Sequence, residues 1–128
     1  MRDILFRGKR LDNGEWVEGD FVHSVYKIGD TCVGTYRNSL WMHQVDPSTV
    51  GQYTGLKDKN GERIFEGDVL TVDGEDGFFA LEFQEDTARF FMSGDSIVVD
   101  FDNFWSYEVE VMGNIHDNSE LLEDDIDG

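Results

Sequence analysis

The chain has 128 residues, with 28 Asp and Glu against 10 Lys and Arg, and a formal net charge of -18 at pH 7. Ten Phe, three Trp and four Tyr supply the apolar area that folding needs, which argues against a mainly disordered chain. The longest uncharged stretch, Pro47 to Leu56, is far shorter than the ~18 residues that span a bilayer. The opening residues lack the apolar run of a signal peptide, and the single Cys32 cannot form an internal disulfide. We therefore expect a cytoplasmic protein that makes no membrane contact.

The charge is unevenly distributed along the sequence. Residues 1–63 contain nine acidic and nine basic residues, whereas residues 64–128 contain nineteen acidic residues and one basic residue, Arg89. Because binding to DNA depends on Lys and Arg that displace counterions, this charge argues against direct contact with nucleic acid. The alternatives are attraction to a basic protein, including mimicry of DNA toward a DNA-binding protein, and a simple solubility shell.

Short apolar runs separated by turn residues predict strands in the first half of the chain. Asn-Gly accepts the positive φ of a type I′ turn, so Asp12-Asn13-Gly14 and Asp58-Lys59-Asn60-Gly61 both predict hairpins. Pro47 lies in a loop that favours a short helical turn over residues 48–50. The predicted strands are residues 3–9, 16–17 and 21–26, with a break at Gly19-Asp20, then residues 31–36 and 40–45.

The second half of the chain continues in the same way. Phe79, Leu81 and Phe83 share one face of a strand with a period of two residues. The segment Ser119 to Glu123 is the one helical candidate, with Asn118 or Ser119 as its cap. The predicted strands are residues 63–65, 69–72, 78–83, 87–92 and 105–115.

These elements predict an all-β fold, mainly antiparallel. No run of eleven or more residues shows a sustained apolar stripe at helical spacing, and the strand spacing favours a compact small barrel or two small sheets. The last strand alternates clearly, with Tyr107, Val109 and Val111 on one face, and this pattern predicts a half-buried strand. We expect one β-rich domain over residues 1–116 and an acidic tail over residues 117–128, at best partly ordered.

Residues 13–22 and 60–70 echo each other. Each begins with Asn-Gly-Glu, continues through a short apolar run to Gly-Asp, and ends in a longer apolar run. Glycine permits a kink, and Asp accepts hydrogen bonds from nearby backbone N–H groups, so the Gly-Asp pairs are interpreted as turns and not as a ligand loop. The same pattern is typical of the sharp corner of a small SH3-like barrel. The second copy has one more residue, which would invert the facing of its side chains, so the echo does not establish a duplication.

A longer segment, Val50 to Leu70, contains the specific run Tyr-Thr-Gly-Leu-Lys-Asp-Lys-Asn-Gly. Residues 4–8, Ile-Leu-Phe-Arg-Gly, and residues 109–122 support it near the two ends of the chain. With these segments the sequence resembles the YopX family of phage and prophage proteins. The resemblance implies a phage-derived cytoplasmic protein and is compatible with an oligomer. It implies no activity and no catalytic residue.

The spacings that metal sites require are missing. A calcium loop with Gly61 at its sixth position would have Leu56 at position one and Gly67 at position twelve, and one with Gly77 at its sixth position would begin at Val72, so both fail. Asp73, Glu75 and Asp76 leave weak cation binding open as an alternative to a solvated loop. Zinc ligands at a recognisable spacing are also missing. The residues that would have to converge in space are Cys32, His23, His43 and His116.

The sequence also lacks the features that would indicate nucleophilic catalysis. Cys32 and His43 fall on adjacent predicted strands, but nothing in the sequence marks an environment that would activate the thiol. Trp41, Phe104 and Trp105 are large enough to line a ligand surface, although core or interface packing is the favoured interpretation.

We therefore expect no catalytic, cofactor-binding or metal-binding residues, and no cofactor. The leading hypothesis is a phage-derived, non-catalytic binding or assembly protein in the host-cell cytoplasm, with a protein partner or a second copy of itself. One alternative is an acidic inhibitor or DNA mimic that binds a basic host or phage protein. A second alternative is a small metal-dependent enzyme.

Overall fold

A computed structural model describes five stretches of the chain, residues 5–23, 31–34, 42–94, 98–101 and 108–123. The strands of these stretches form two antiparallel sheets and not a closed barrel, so the all-β prediction is confirmed in its two-sheet form. A 3₁₀ helix, Pro47–Thr49, and a single α-helical turn, α1 (Glu120–Glu123), complete the described elements. The strands are β1 (Phe6–Lys9), β2 (Trp16–His23), β3 (Thr31–Gly34), β4 (Met42–Gln44), β5 (Gly51–Lys57), β6 (Arg63–Phe65), β7 (Asp68–Val72), β8 (Phe79–Gln84), β9 (Arg89–Ser93), β10 (Val98–Asp100) and β11 (Val109–Asn114).

The chain divides into two compact units, Met1–Tyr53 and Thr54–Gly128, and β5 carries the chain from the first unit into the second. The first unit contains six basic and seven acidic residues, and the second contains four basic and 21 acidic residues. The net charges are therefore -1 and -17, and the acidity of the protein belongs to the second unit. The prediction of one domain over residues 1–116 with an acidic tail stays a prediction.

In the first unit the strands follow the order β4-β3-β2-β1-β5. The predicted break at Gly19-Asp20 is wrong, because β2 is continuous through both residues. The partner of the strand changes there instead: residues 16–19 pair with β1 and residues 20–23 pair with β3. Gly19 has a φ of +156°, and a Cβ on it would lie 2.7 Å from the carbonyl carbon of Gly34. Glycine therefore allows β3 to approach closely without interrupting the ladder.

Two local predictions for the first unit are confirmed. The turn between β1 and β2 is closed by a bond from Arg10 N to Glu15 O at 2.8 Å, and Gly14 has a φ of +74°. The predicted helical turn forms as the 3₁₀ helix, one residue earlier than expected. Asp46 caps this helix, because its carboxylate accepts a hydrogen bond from Ser48 N at 3.0 Å.

In the second unit β6 neighbours β5, and a five-stranded sheet follows the order β10-β9-β8-β7-β11. The predicted apolar face of β8 is confirmed, since Phe79 and Leu81 are buried and Phe83 packs against the same core. Val109 is fully buried and Val111 packs on this core as well, as predicted; their neighbour Tyr107 lies outside the described residues. The core consists of Ile64, Leu70, Val72, Phe79, Leu81, Phe90, Met92, Phe101 and Val109.

The predicted C-terminal helical turn is confirmed as α1, which follows β11 closely. Backbone oxygens of Asn118 and Ser119 accept bonds from Leu121 N at 3.0 Å and Leu122 N at 3.1 Å. The side chain of Asn118 does not cap this helix; it accepts a hydrogen bond from Asn114 N, at the end of β11. Residues 124–128 of the predicted tail lie outside the described residues.

Two strands were not predicted, β5 and β10. β5 contains two glycines, one of which, Gly55, has a φ of +88°, and its burial does not alternate, since Tyr53 and Thr54 are both buried. β10 has three residues, which is too short to show a period.

Neither helical segment in the described stretches has the length or apolar character needed to cross a membrane.

Candidate functional site

The first candidate site is a hollow of about 360 Å³ in the first unit. It lies where the turn between β1 and β2 approaches β4, and this arrangement is held by bonds from Leu11 N to Gln44 O and from Asp46 N to Lys9 O. Its volume is at the lower end of the range for small-molecule sites. The hollow is lined by Arg10, Leu11, Asp12, His43 and Gln44.

Two opposite charges in this hollow neutralise each other. The guanidinium of Arg10 donates from Nε to Asp12 Oδ1 at 2.9 Å and from Nη2 to Asp12 Oδ2 at 2.6 Å. This hydrogen-bonded pair raises the pKa of Arg10 and lowers the pKa of Asp12. Since the guanidinium is already bound to a carboxylate, the hollow is poorly suited to hold an anionic ligand.

Cys32 and His43 do lie on adjacent strands, as the sequence predicts, but they do not form a pair. In the ladder between β3 and β4, Cys32 is opposite Gln44 and His43 is opposite Val33. Neighbouring residues of a strand point to opposite faces, so the thiol and the imidazole lie on different sides of the sheet. His116 is exposed in the turn after β11, and the side chain of His23 lies outside the described part.

In the acidic loop after β7, a carboxylate is paired with a lysine side chain of the same protein. Lys59 Nζ lies 2.8 Å from Asp73 Oδ1 and 3.9 Å from Glu110 Oε1. The hydrogen bond to Asp73 raises the pKa of Lys59. Among the described residues, no group of three or more His, Cys, Asp or Glu side chains is arranged to hold a metal ion. Glu75 and Asp76 are exposed beside this ion pair.

The carboxylate of Asp58 accepts three hydrogen bonds from backbone N–H groups. It is only 6% exposed, and its Oδ1 accepts bonds from Asn60 N at 2.9 Å and Glu62 N at 2.8 Å. Its Oδ2 accepts a bond from Val111 N, 53 residues further along the chain, at 2.8 Å. Asp58 therefore shapes the predicted hairpin and also attaches it to β11.

The Gly67-Asp68 corner has the turn chemistry that the sequence favours. Asp68 is 1% exposed, and its Oδ2 accepts a hydrogen bond from Phe65 N at 2.7 Å. Gly67 N donates to Leu81 O, and Gly67 O accepts from Ile115 N. These bonds tie the corner between β6 and β7 to β8 and to the turn that follows β11. The first echo segment is a continuous strand and the second is interrupted, so the two are not structural duplicates.

The remaining chemical feature is the exposed charge of the second unit. Arg89 is paired with Asp100 at 2.6 Å, and Lys59 is paired with Asp73. Four basic residues cannot balance the 21 acidic residues of this unit. The exposed acidic side chains described in it include Asp73, Glu75, Asp76, Glu82, Glu85, Asp86, Asp100, Asp117 and Glu120.

Sequence reasoning missed the hollow, the Arg10–Asp12 pair and the long-range bond of Asp58. An Asp two residues before Asn-Gly signals a turn, but no local pattern indicates a partner 53 residues away. The aromatic candidates Trp41, Phe104 and Trp105 lie outside the described residues.

Comparison with curated proteins finds no match to this chain. The sequence model of a protein family described as YopX protein matches residues 5–123 of this chain. This match covers most of the 128 residues, including the hairpin held by Asp58 and the corner at Gly67. The chain belongs to the YopX family.

Proposed function

We propose that this YopX protein is a phage-derived, non-catalytic binding or assembly protein that acts in the host-cell cytoplasm. It binds a protein partner, or a second copy of itself, through surfaces of opposite charge. The observation that carries this proposal is the concentration of charge in the second unit, -17 of the total of -18. Such a field attracts a basic surface over several ångströms and raises the rate of encounter.

Most of the described carboxylates lie at the surface, and this supports a role in binding. The two buried ones, Asp58 and Asp68, accept hydrogen bonds from backbone N–H groups and so serve the fold. The others are exposed or partly exposed, and those at Asp73 and Asp100 form ion pairs within the unit. Exposed carboxylates are available to meet Lys and Arg of a partner at little cost in desolvation.

In a second copy, basic residues of the first unit supply a surface of opposite charge. β1 carries Arg7 and Lys9, and the guanidinium of Arg7 lies 4.7 Å from the centroid of the Trp16 ring. A cation over an aromatic face keeps its charge while its apolar surface is covered. The first unit is close to neutral overall, so it does not repel the acidic unit of another copy.

Sedimentation velocity tests the assembly form of this proposal. We expect a species larger than the monomer in about 0.1 M salt, which dissociates in about 1 M salt as the screening length falls from about 10 Å to about 3 Å. Replacing the exposed turn residues Glu85 and Asp86 together by Lys should weaken the assembly at the lower salt. The matched control replaces the same residues by Gln and Asn, which removes charge without reversing it. A monomer under all these conditions excludes the assembly form.

The same charge favours a second candidate, an acidic inhibitor that binds a basic host or phage protein, as a DNA mimic would. A monomer that captures nucleic-acid-binding proteins from host lysate, and releases them at moderate salt, would support this candidate. Capture of no salt-sensitive protein counts against it. Sedimentation and capture together distinguish the two forms, because only the first requires self-association.

A further inference from the structure

The negative charges of the second unit far outnumber the positive charges that could compensate them. Its 21 acidic and four basic residues leave a net charge of -17, whereas the first unit carries -1. Among the described ion pairs, Lys59 lies 2.8 Å from Asp73 and 3.9 Å from Glu110. Arg89 is paired with Asp100 at 2.6 Å. On balance the carboxylates of this unit therefore repel one another, and self-repulsion of this kind destabilises a compact state.

Two carboxylates that hold the fold of this unit are themselves buried. Asp58 is 6% exposed and accepts a hydrogen bond from Val111 N, and Asp68 is 1% exposed and accepts one from Phe65 N. Salt screens the interactions of buried charges much less than those between exposed charges. Repulsion from the surface therefore acts on the two carboxylates that form the turn and the corner of the unit.

Lys59 shows the sign of the potential beside the Asp58 turn. Its hydrogen bond to Asp73, followed by the charges of Asp73, Glu110 and Asp58, raises the pKa of the Lys59 ammonium group. A raised pKa means that the surroundings favour the charged form of the lysine. A positive charge is therefore stabilised at this surface of the second unit.

We propose that repulsion among its carboxylates destabilises the second unit, and that the cations around this unit control its stability. Salt should stabilise the unit, because the screening length falls from about 30 Å in 0.01 M salt to about 8 Å in 0.15 M salt. The first unit is close to neutral and should respond much less. A basic partner supplies positive charge in the same way, so its binding should also stabilise the second unit. That consequence rests on the proposed function, whereas the response to salt does not.

The turn between β8 and β9 allows the charge to be changed without breaking a side-chain bond. The carboxylates of Glu85 and Asp86 are exposed, and neither has a hydrogen-bond or ion-pair partner in the described part of the chain. E85Q/D86N changes the net charge of the unit from -17 to -15, and E85K/D86K changes it to -13. Because the repulsion grows with the square of the net charge, it should fall by about a fifth in the first variant and about two-fifths in the second.

Urea unfolding followed by methyl NMR, at a protein concentration where sedimentation shows a monomer, tests the proposal. The methyl signals of Leu81 and Val109 report on the second unit, and those of Val33 and Val45 report on the first, because all four side chains are at most 1% exposed. Between about 0.01 M and about 0.15 M NaCl, the urea midpoint of the second unit should rise by about 1 M, and that of the first unit by much less. At the lower salt the midpoint of the second unit should increase from the wild type to E85Q/D86N and again to E85K/D86K.

The differences among the three proteins should shrink at the higher salt, because screening removes the repulsion that distinguishes them. Three results would each overturn the proposal: a midpoint of the second unit that does not rise with salt, an equal rise in the first unit, or charge variants that are no more stable than the wild type at the lower salt. Failure of the proposed function is a separate result, because salt stabilises the unit but dissociates a charge-based assembly. Sedimentation measures the assembly, and the urea midpoint measures the unit.

Discussion

Gly19→Ala is expected to destabilise the protein strongly, because a methyl group at this position has no room. Gly19 lies where β2 passes from β1 to β3, and its φ of +156° is one that residues with a side chain rarely adopt. A Cβ there would lie 2.7 Å from the carbonyl carbon of Gly34 and closer still to its oxygen. These are backbone atoms of β3, so no side-chain rotation relieves the clash.

The magnitude follows from two costs. A non-glycine residue held at an unfavourable positive φ costs about 1–3 kcal/mol, and overpacking of a tight site typically costs about 1–3 kcal/mol. We expect a loss of about 4 kcal/mol for G19A, a large part of the ~5–15 kcal/mol that stabilises a typical domain. Gly74 is the matched control: its φ is +82°, and a Cβ there meets nothing within 4 Å. G74A therefore carries only the backbone cost, about 1 kcal/mol.

Urea unfolding, followed by tryptophan fluorescence, measures both variants. With a slope of about 1–3 kcal/mol per molar urea, G19A should unfold at least about 1 M below G74A. The two slopes should agree, because neither substitution changes the area exposed on unfolding by much. Equal losses for the two variants would refute the close approach of β2 and β3 at Gly19.

Two further predictions concern the core and the ion pair of the hollow. Leu81→Ala removes a fully buried side chain of the second unit and should lower the free energy of unfolding by about 3 kcal/mol. Val98→Ala, at a residue 69% exposed, should lower it by less than about 0.5 kcal/mol. Urea unfolding measures both variants, and similar losses of stability would contradict the core assignment. The hydrogen bond from Arg10 lowers the pKa of Asp12 below its ordinary value of 3.8, so the folded state binds this proton less readily than the unfolded state. The stability difference between the wild type and D12N should therefore be constant from neutral pH down to about 4 and shrink as the pH falls further, and a difference that grows in acid would contradict the pairing.

Local chemistry in the sequence was sufficient to predict several elements. Asn13-Gly14 and Asn60-Gly61 both form hairpin turns, because a positive φ is a property of the glycine and needs no distant partner. The alternation of Phe79, Leu81 and Phe83 placed one face of β8 in the core, since the two-residue period is set by the backbone. Where this local information was weak, as in the glycine-containing β5, the strand was missed.

Only the tertiary structure decided what the polar residues of the candidate sites do. The sequence placed Cys32 and His43 on neighbouring strands, but the register puts them on opposite faces, and register depends on the partner strand. It placed Asp58 in a turn, but the bond to Val111 joins residues 53 positions apart. The sequence by itself determined the all-β class, the hairpin turns and the acidity of the second half, because these depend on nearest neighbours and composition. Pairing, register and the bond between Asp58 and β11 required the fold, because they depend on which distant segments meet.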